Sequence, residues 1–473
     1  MSEDFMISKN FVMAVSLTAL FQVSLIGCGQ KSSTNKVTTT RGKKQDPGTG
    51  GGTGPEAETS KLKIVTDPDA LKQILVKNKC EAYYERVTEE GWKITISTNG
   101  NDSMESVAYM IPKGSQLRNP VLVLSNPRSE LSVEDSKKIL EVARQNDFDP
   151  IYFDVPGFGC SDRLPNLSST VSEADLQKFS SQSVASLIEK NRSVILKNKK
   201  WKIWANGNAS LIALRLLEKY PDTIQSLHLA DFVFSDQPVE LMKKRMIKQT
   251  DSWKAFKAFA KEKDLEITAE LMEKVSKTLD KQTCSTSQKI CRQSLLSVLV
   301  TFLSQDDSKW ADAVEAIKRL SKGQFPEILN QRALFVQKNY LYDQLVKATN
   351  LDGDSILSAC EKALKDVEVI EALKESPINS CQLEAALKDD DKKSLETKVK
   401  YKKLDYDLIQ KNLLDKNISL HLAIGERSVM NPLSAVEDMS RLIGENLIKE
   451  NLHQPADGSY LFMNENLLKS LKK

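Results

Sequence analysis

Three histidines, His228, His421 and His453, are the only side chains of this 473-residue chain that titrate near neutral pH without perturbation, so any general-base chemistry starts from them. His228 and His421 fall inside the apolar runs 226–229 and 418–423, where packed or rim residues are expected rather than bases. His453 lies six residues before Ser459, close to the C-terminus. Ser161, Cys160 and Ser210 are candidate nucleophiles by type, but no base can be assigned to any of them. Asp231 and Glu426 offer carboxylates that do nothing for acyl transfer without a nucleophile. Asp352-Gly353-Asp354 has the start of a calcium loop but lacks its later ligands, and reads as a turn leading into a helix N-cap. With no Cys-x-x-Cys spacing and three histidines, neither a metal site nor a cofactor is expected.

The elements that would position these groups follow from periodicity. Segments 92–96 and 107–110 alternate about a polar Asn-Gly-Asn-Asp turn, and the stretch from Cys80 to Ile111 reads as an antiparallel hairpin. Val121–Leu124 is a continuous apolar run, followed by helical periodicity over 133–144 and a second buried-type strand at 150–153, which together make a βαβ unit. The alternation continues with a helix over 173–196, a strand at 201–204, a helix over 209–220 and a strand at 226–229. From Gln237 to about Leu414 the chain is Lys-rich and helical in period, with no comparable strand. A strand at 418–423, a helix at 434–443, a strand at 447–452 and a helix at 464–471 close the pattern. A mostly parallel α/β sheet with an antiparallel N-terminal hairpin, split by a large helical insertion, is therefore expected. Residues 61–236 and 416–473 would be its two parts, and 237–415 the insertion.

Several stretches carry a family resemblance. Asp154-Val155-Pro156-Gly157-Phe158-Gly159-Cys160-Ser161-Asp162 resembles the loop after the fourth strand in α/β hydrolases of the proline iminopeptidase and tripeptidyl aminopeptidase type. Trp204–Leu214, followed by Glu218-Lys219-Tyr220-Pro221, resembles their nucleophile elbow and the helix behind it. The resemblance spans roughly Cys80–Gln237 and Asn417–Lys473, and it implies an α/β-hydrolase fold with the helical insertion placed as a cap.

At each position where that family carries its chemistry, this chain departs. The G-x-S-x-G frame falls on Ala205-Asn206-Gly207-Asn208-Ala209, so Gly207 stands at the nucleophile. Ser428 ends Gly425-Glu426-Arg427-Ser428, where the family's stretch supplies an Asp. In Pro455–Tyr460, Ser459, or else Gly458, occupies the place of the histidine. The loop after Val121–Leu124 reads Ser125-Asn126-Pro127-Arg128-Ser129, and Pro127 has no N–H to give to an oxyanion. No catalytic residue is expected at these positions. Asn206, Asn208, Arg128 and Asp231 are the candidates to line a pocket, and His453 is the one route to a displaced catalytic set.

The apolar run Phe11–Ile26 ends in Leu25-Ile26-Gly27-Cys28, which resembles a bacterial lipoprotein signal peptide over residues 1–27 with its lipobox. The run is shorter than the roughly 20 residues a membrane span needs. The resemblance implies acylation of Cys28, anchorage to the bacterial envelope, with Gly29 favouring the outer membrane, and a flexible tether over 28–60. In an oxidising compartment the other six cysteines can form three disulfides. Cys284 with Cys291 and Cys360 with Cys381 are near enough in sequence to pair, which leaves Cys80 for Cys160 by elimination. Lys and Arg number 67 against 64 Asp and Glu, a balance that gives no electrostatic reason for a nucleic-acid partner. A binding protein for a small molecule, peptide or protein at the envelope is the expected function, a displaced serine-type hydrolase or aminopeptidase the alternative, and a structural lipoprotein a third reading.

Overall fold

The computed structural model describes residues 62–99, 106–124, 131, 133–162, 178–207, 209–231, 237–280, 303, 307–326, 356–376, 381, 404–425, 428 and 432–454. All of these residues belong to one compact unit, Ser60–Lys473. The signal peptide expected over 1–27, Cys28 and the tether expected over 28–60 lie outside the described residues. So do the expected hairpin turn, the calcium-like Asp352–Asp354, the helix expected at 464–471, and Cys284 with Cys291.

Among the described residues, nine strands form one sheet in the order β1-β2-β3-β5-β4-β6-β7-β8-β9. They are β1 Leu62–Ile64, β2 Trp92–Asn99, β3 Ser106–Pro112, β4 Pro120–Leu124, β5 Asp149–Asp154, β6 Trp201–Asn206, β7 Ile224–Ala230, β8 Ser419–Gly425 and β9 Ile448–Gln454. β1, β2 and β3 are antiparallel at one edge, β3 meets β5 antiparallel, and the pairings from β5 through β4, β6, β7 and β8 to β9 are parallel. The interior strands β4 and β6 are buried at every residue. That is why β4 reads as an unbroken apolar run instead of an alternating one, and why β6 is apolar apart from Lys202 and Asn206.

Two helices precede the hairpin, α1 Pro68–Asn78 and α2 Glu81–Glu89. This corrects the sequence reading, which ran the antiparallel hairpin back to Cys80. Asp67 caps α1 by accepting from the Ala70 N–H, Pro68 sits in its first turn, and Lys79 closes it in the left-handed region at φ 52°. Each helix buries a narrow stripe, Ile74, Leu75 and Asn78 on α1 and Tyr83 and Val87 on α2, which is too sparse a signal to outweigh the alternation just beyond it.

Helices α3 Val133–Asn146, α4 Ser181–Leu196 and α5 Ala209–Lys219 connect the parallel strands. α4 begins at the Ser180 cap, whose hydroxyl accepts from the Ser183 N–H, and not at 173. The insertion contributes α6 Pro238–Glu262, α7 Ala269–Asp280, α8 Asp307–Ser321, α9 Ile356–Ala363, α10 Val367–Glu375 and α11 Tyr406–Asp415, with no strand among its described residues. α12 Val436–Ile443 lies between β8 and β9.

One face of the sheet packs with α4, α5, α11 and α12 in a large apolar cluster that also takes in Leu241, Met242 and Met246 of α6. The other face packs with α1, α2 and α3. A third cluster, Trp253, Phe256, Val275, Leu279, Trp310 and Ile317 among its members, is built by α6, α7 and α8 with Leu265 and Leu303.

Candidate functional site

The strand order reverses at β4, which lies between β5 and β6 although it precedes both. Loops that leave such a switch point at the carboxyl ends of parallel strands turn away from each other and open a crevice, so this edge is where a ligand site belongs. The loop after β4 is the segment 125–130, outside the described residues, and with it Asn126, Pro127 and Arg128.

The turn after β6 is described on either side of residue 208. Trp201–Asn206 is wholly buried, Gly207 follows at φ 54°, and α5 starts at Ala209. The left-handed φ is what lets the chain double back from strand to helix within so few residues. The Gly207 N–H donates to the Ala230 carbonyl at 2.8 Å, and the Gly207 carbonyl accepts from the Ser210 N–H at 3.0 Å. Ala205, Ala209 and Ala213 are all fully buried, and their small side chains let the helix sit close on the sheet. The apex of this turn, aimed by the fold at the open edge, carries only hydrogen.

Asp231 follows β7 at φ 47°, 7% exposed, and its N–H donates to the Ala423 carbonyl of β8 at 2.7 Å. Ser428, 1% exposed, donates its N–H to Gly425 at the end of β8. One run of backbone bonds thus joins the ends of β6, β7 and β8 and brings Gly207, Asp231 and Ser428 to a single edge, with Asn206 buried beside them. His453 lies in β9, its backbone paired with Ile424, and Gln454 pairs with Gly425, so that strand ends at the same edge. The His453 side chain, Asn208 and Ser459 are outside the described residues.

Sheet order with β4 and β5 exchanged, a positive-φ strand-to-helix turn after β6 and a helical insertion after β7 define the architecture. The fold is that of the α/β hydrolases.

No family model matches the chain, and no curated protein matches it. Among solved structures it is similar to an α/β hydrolase from a Medee basin deep-sea metagenome library, at 11% identity and TM-score 0.38, with 78% of this chain and 92% of that one covered. It is likewise similar to a thermophilic esterase from Thermogutta terrifontis, at 12% and 0.39, covering 80% and 95%, and to an α/β fold family hydrolase from Bacillus anthracis, at 13% and 0.38, covering 80% and 99%. Likeness at this level says nothing about chemistry, and the fold is read from strand order and register.

The segment after β5 is a second fixed part of the edge. Asp154, 2% exposed, accepts from the Tyr83 hydroxyl at 3.0 Å and from the Cys160 N–H at 3.0 Å, while the Ser161 hydroxyl donates to the Asp154 carbonyl. Gly159, at φ 53°, passes so close that a Cβ there would fall on the Asp154 carboxylate. Burial first, and then the neighbouring Asp154 charge, push the Tyr83 phenol well above its ordinary value, so it remains a donor. Cys80 and Cys160 are bonded, as are Cys360 and Cys381, in the pairing expected from the sequence.

The histidines not at the edge have a different setting. His228 and His421 are cross-strand partners on β7 and β8, with stacked rings 4.5 Å apart, 0% and 4% exposed. Ser226 bonds the His228 Nε2 at 2.9 Å, and Lys202 on β6 pairs with Ser226, so a buried polar row crosses three strands of an otherwise apolar sheet. Burial above all, with His421 and Lys202 adding to it, holds the His228 imidazole well below its usual titration range and hence neutral. No sequence signal announced this row or the partnership of Tyr83 with Asp154, because both depend on register. Among the described residues no three His, Cys, Asp or Glu side chains gather as metal ligands, and no helix is long and apolar enough to cross a membrane.

Proposed function

We propose that this chain is a lipid-anchored protein of the bacterial envelope that uses an α/β-hydrolase fold to bind a peptide, lipid, other small molecule or protein without hydrolysing it. It would be a degenerate relative of the proline iminopeptidase and tripeptidyl aminopeptidase type, attached through an acylated Cys28. The observation that carries this reading is Gly207 at the apex of the strand-to-helix turn: the geometry that presents a nucleophile is kept, and the atom that would attack is missing. Ser428 at the acid position adds to it, since a hydroxyl cannot hold a negative charge beside an imidazolium. Asn206 and Asp231, with Asn208 and Arg128, would supply the polar contacts.

A displaced serine-type hydrolase is the second reading, favoured by one observation: β9, which carries His453, ends at the same edge as Asp231. Purified protein treated with a fluorophosphonate probe and a panel of aminoacyl and acyl esters separates the two. No labelling and no turnover is expected for the wild type, and none for Gly207→Ser, because restoring a hydroxyl does not restore its base. Turnover that disappears in His453→Ala would sink the binding proposal and establish the displaced site.

A further inference from the structure

Helix α1 ends and α2 begins at the carboxyl edge described above, and the pair grips that edge at several points. The Asn78 amide nitrogen donates to the Cys160 carbonyl at 2.8 Å and to the Ser106 hydroxyl at 2.9 Å. Tyr83 holds Asp154, and the Arg86 guanidinium donates to the carbonyl of Leu131, between β4 and α3, at 2.6 Å. Lys77 faces Asp162 at 3.4 Å. In the middle of these contacts the Cys80–Cys160 bond joins the start of α2 to the loop after β5 across 80 residues of sequence. No strand pairing fixes residues 155–162. Their backbone bonds run within the loop, as from the Gly157 N–H to the Asp162 carbonyl, or to the hairpin, as from the Asp162 N–H to the Ser106 carbonyl.

We propose that the Cys80–Cys160 bond is a lock set during assembly that fixes the loop 155–162 and Leu131 against α1 and α2, so that this edge takes its final shape only where thiols are oxidised. In closing it, two thiols lose their hydrogens and two electrons to a disulfide-form exchange partner, which leaves as a dithiol. Cys80 is 1% exposed and Cys160 fully buried, so the closed bond is sheltered from soluble dithiols while the helices stay docked. The lock is therefore made once and does not cycle. The inference rests on the reading of this edge as the working face, but its test needs no ligand.

Hydrogen exchange on the full-length chain reads it directly. In Cys80→Ala/Cys160→Ala, peptides covering 155–162 and 131–139 should exchange at least tenfold faster while β6, β7 and β8 keep their protection. In Cys360→Ala/Cys381→Ala the same rim peptides should match wild type. Rim protection unchanged in a folded Cys80→Ala/Cys160→Ala protein would overturn the proposal. Should that variant not fold, Asn78→Ala and Tyr83→Phe with the bond intact decide instead: retained rim protection supports the lock, and lost protection shows that hydrogen bonds hold the edge and overturns it. Enzymatic turnover in the wild type would defeat the proposed function and leave this result untouched.

Discussion

The sheet carries two helical additions, the pair α1–α2 and the insertion α6–α11, and they are held in opposite ways. The N-terminal pair has no core of its own: Ile74, Leu75, Tyr83 and Val87 complete a cluster built by β2, β3, β4 and α3, and its polar contacts with the edge are mostly buried. The insertion is divided. The first turns of α6, with α9, α10 and α11, join the sheet's own cluster, whereas from Trp253 onward α6 packs with α7 and α8 around a separate apolar centre. A polar tie from α6 back to the sheet domain, Lys244 to Asp438 at 2.7 Å and to the Ser434 carbonyl at 2.9 Å, is partly solvated. An element that completes a core cannot leave without exposing it, while one that brings its own core can change with little effect on the rest.

Loss of the Cys80–Cys160 bond sharpens this contrast most. A loop closed over a separation of 80 residues constrains the unfolded chain by about 4.5 kcal/mol in the entropy treatment, against about 3.3 kcal/mol for the separation of 21 at Cys360–Cys381. Denaturant titration of the two Cys→Ala pairs should show the larger loss for the first, and the reverse order would break the comparison. Phe256→Ala removes the ring that meets Trp253 and Trp310 at 5.5 and 5.7 Å and should weaken the outer part of the insertion by about 3–5 kcal/mol. Calorimetry should then resolve an early transition that leaves the sheet intact, whereas a single lowered transition would mean that the insertion and sheet fold as one unit.

Acid should act on the sheet side of the comparison. Because the folded state holds His228 well below its ordinary value near 6.5, the unfolded chain takes up the extra proton first as pH falls. Stability contributed by the neutral imidazole is present above pH 6.5 and declines below it, by up to about 1.4 kcal/mol per pH unit, until the folded pKa is reached. His228→Gln should flatten that slope in chemical denaturation between pH 6.5 and 5, and an unchanged slope would assign the dependence to other groups. Smallest of all, Lys244→Ala should lower stability by no more than about 1 kcal/mol, since a partly exposed pair gains little over its solvated ions. A loss several times larger would show that this contact anchors the insertion.

The sequence by itself determined the βαβ succession, the helical insertion and the empty apex at Gly207. Strands buried on both faces are mostly apolar, helices repeat near 3.6 residues, and a glycine has no side chain whatever surrounds it. Local spacing made the pairing of Cys360 with Cys381 an expectation, and the structure bears it out. Only the tertiary structure decided the rest. α1 and α2 are helices because their thin buried stripes find a sheet to cover, and Tyr83 is a partner of Asp154 because β3, paired with β2 on one side and β5 on the other, brings α2 and β2 within reach of β5. His228 and His421 stack because β7 and β8 align at that register, although they stand 193 positions apart in the sequence. The meeting of Gly207, Asp231 and Ser428 has the same origin. Residues on different strands become neighbours through strand order and register, and those are set by the packing of the whole sheet, not by any one segment.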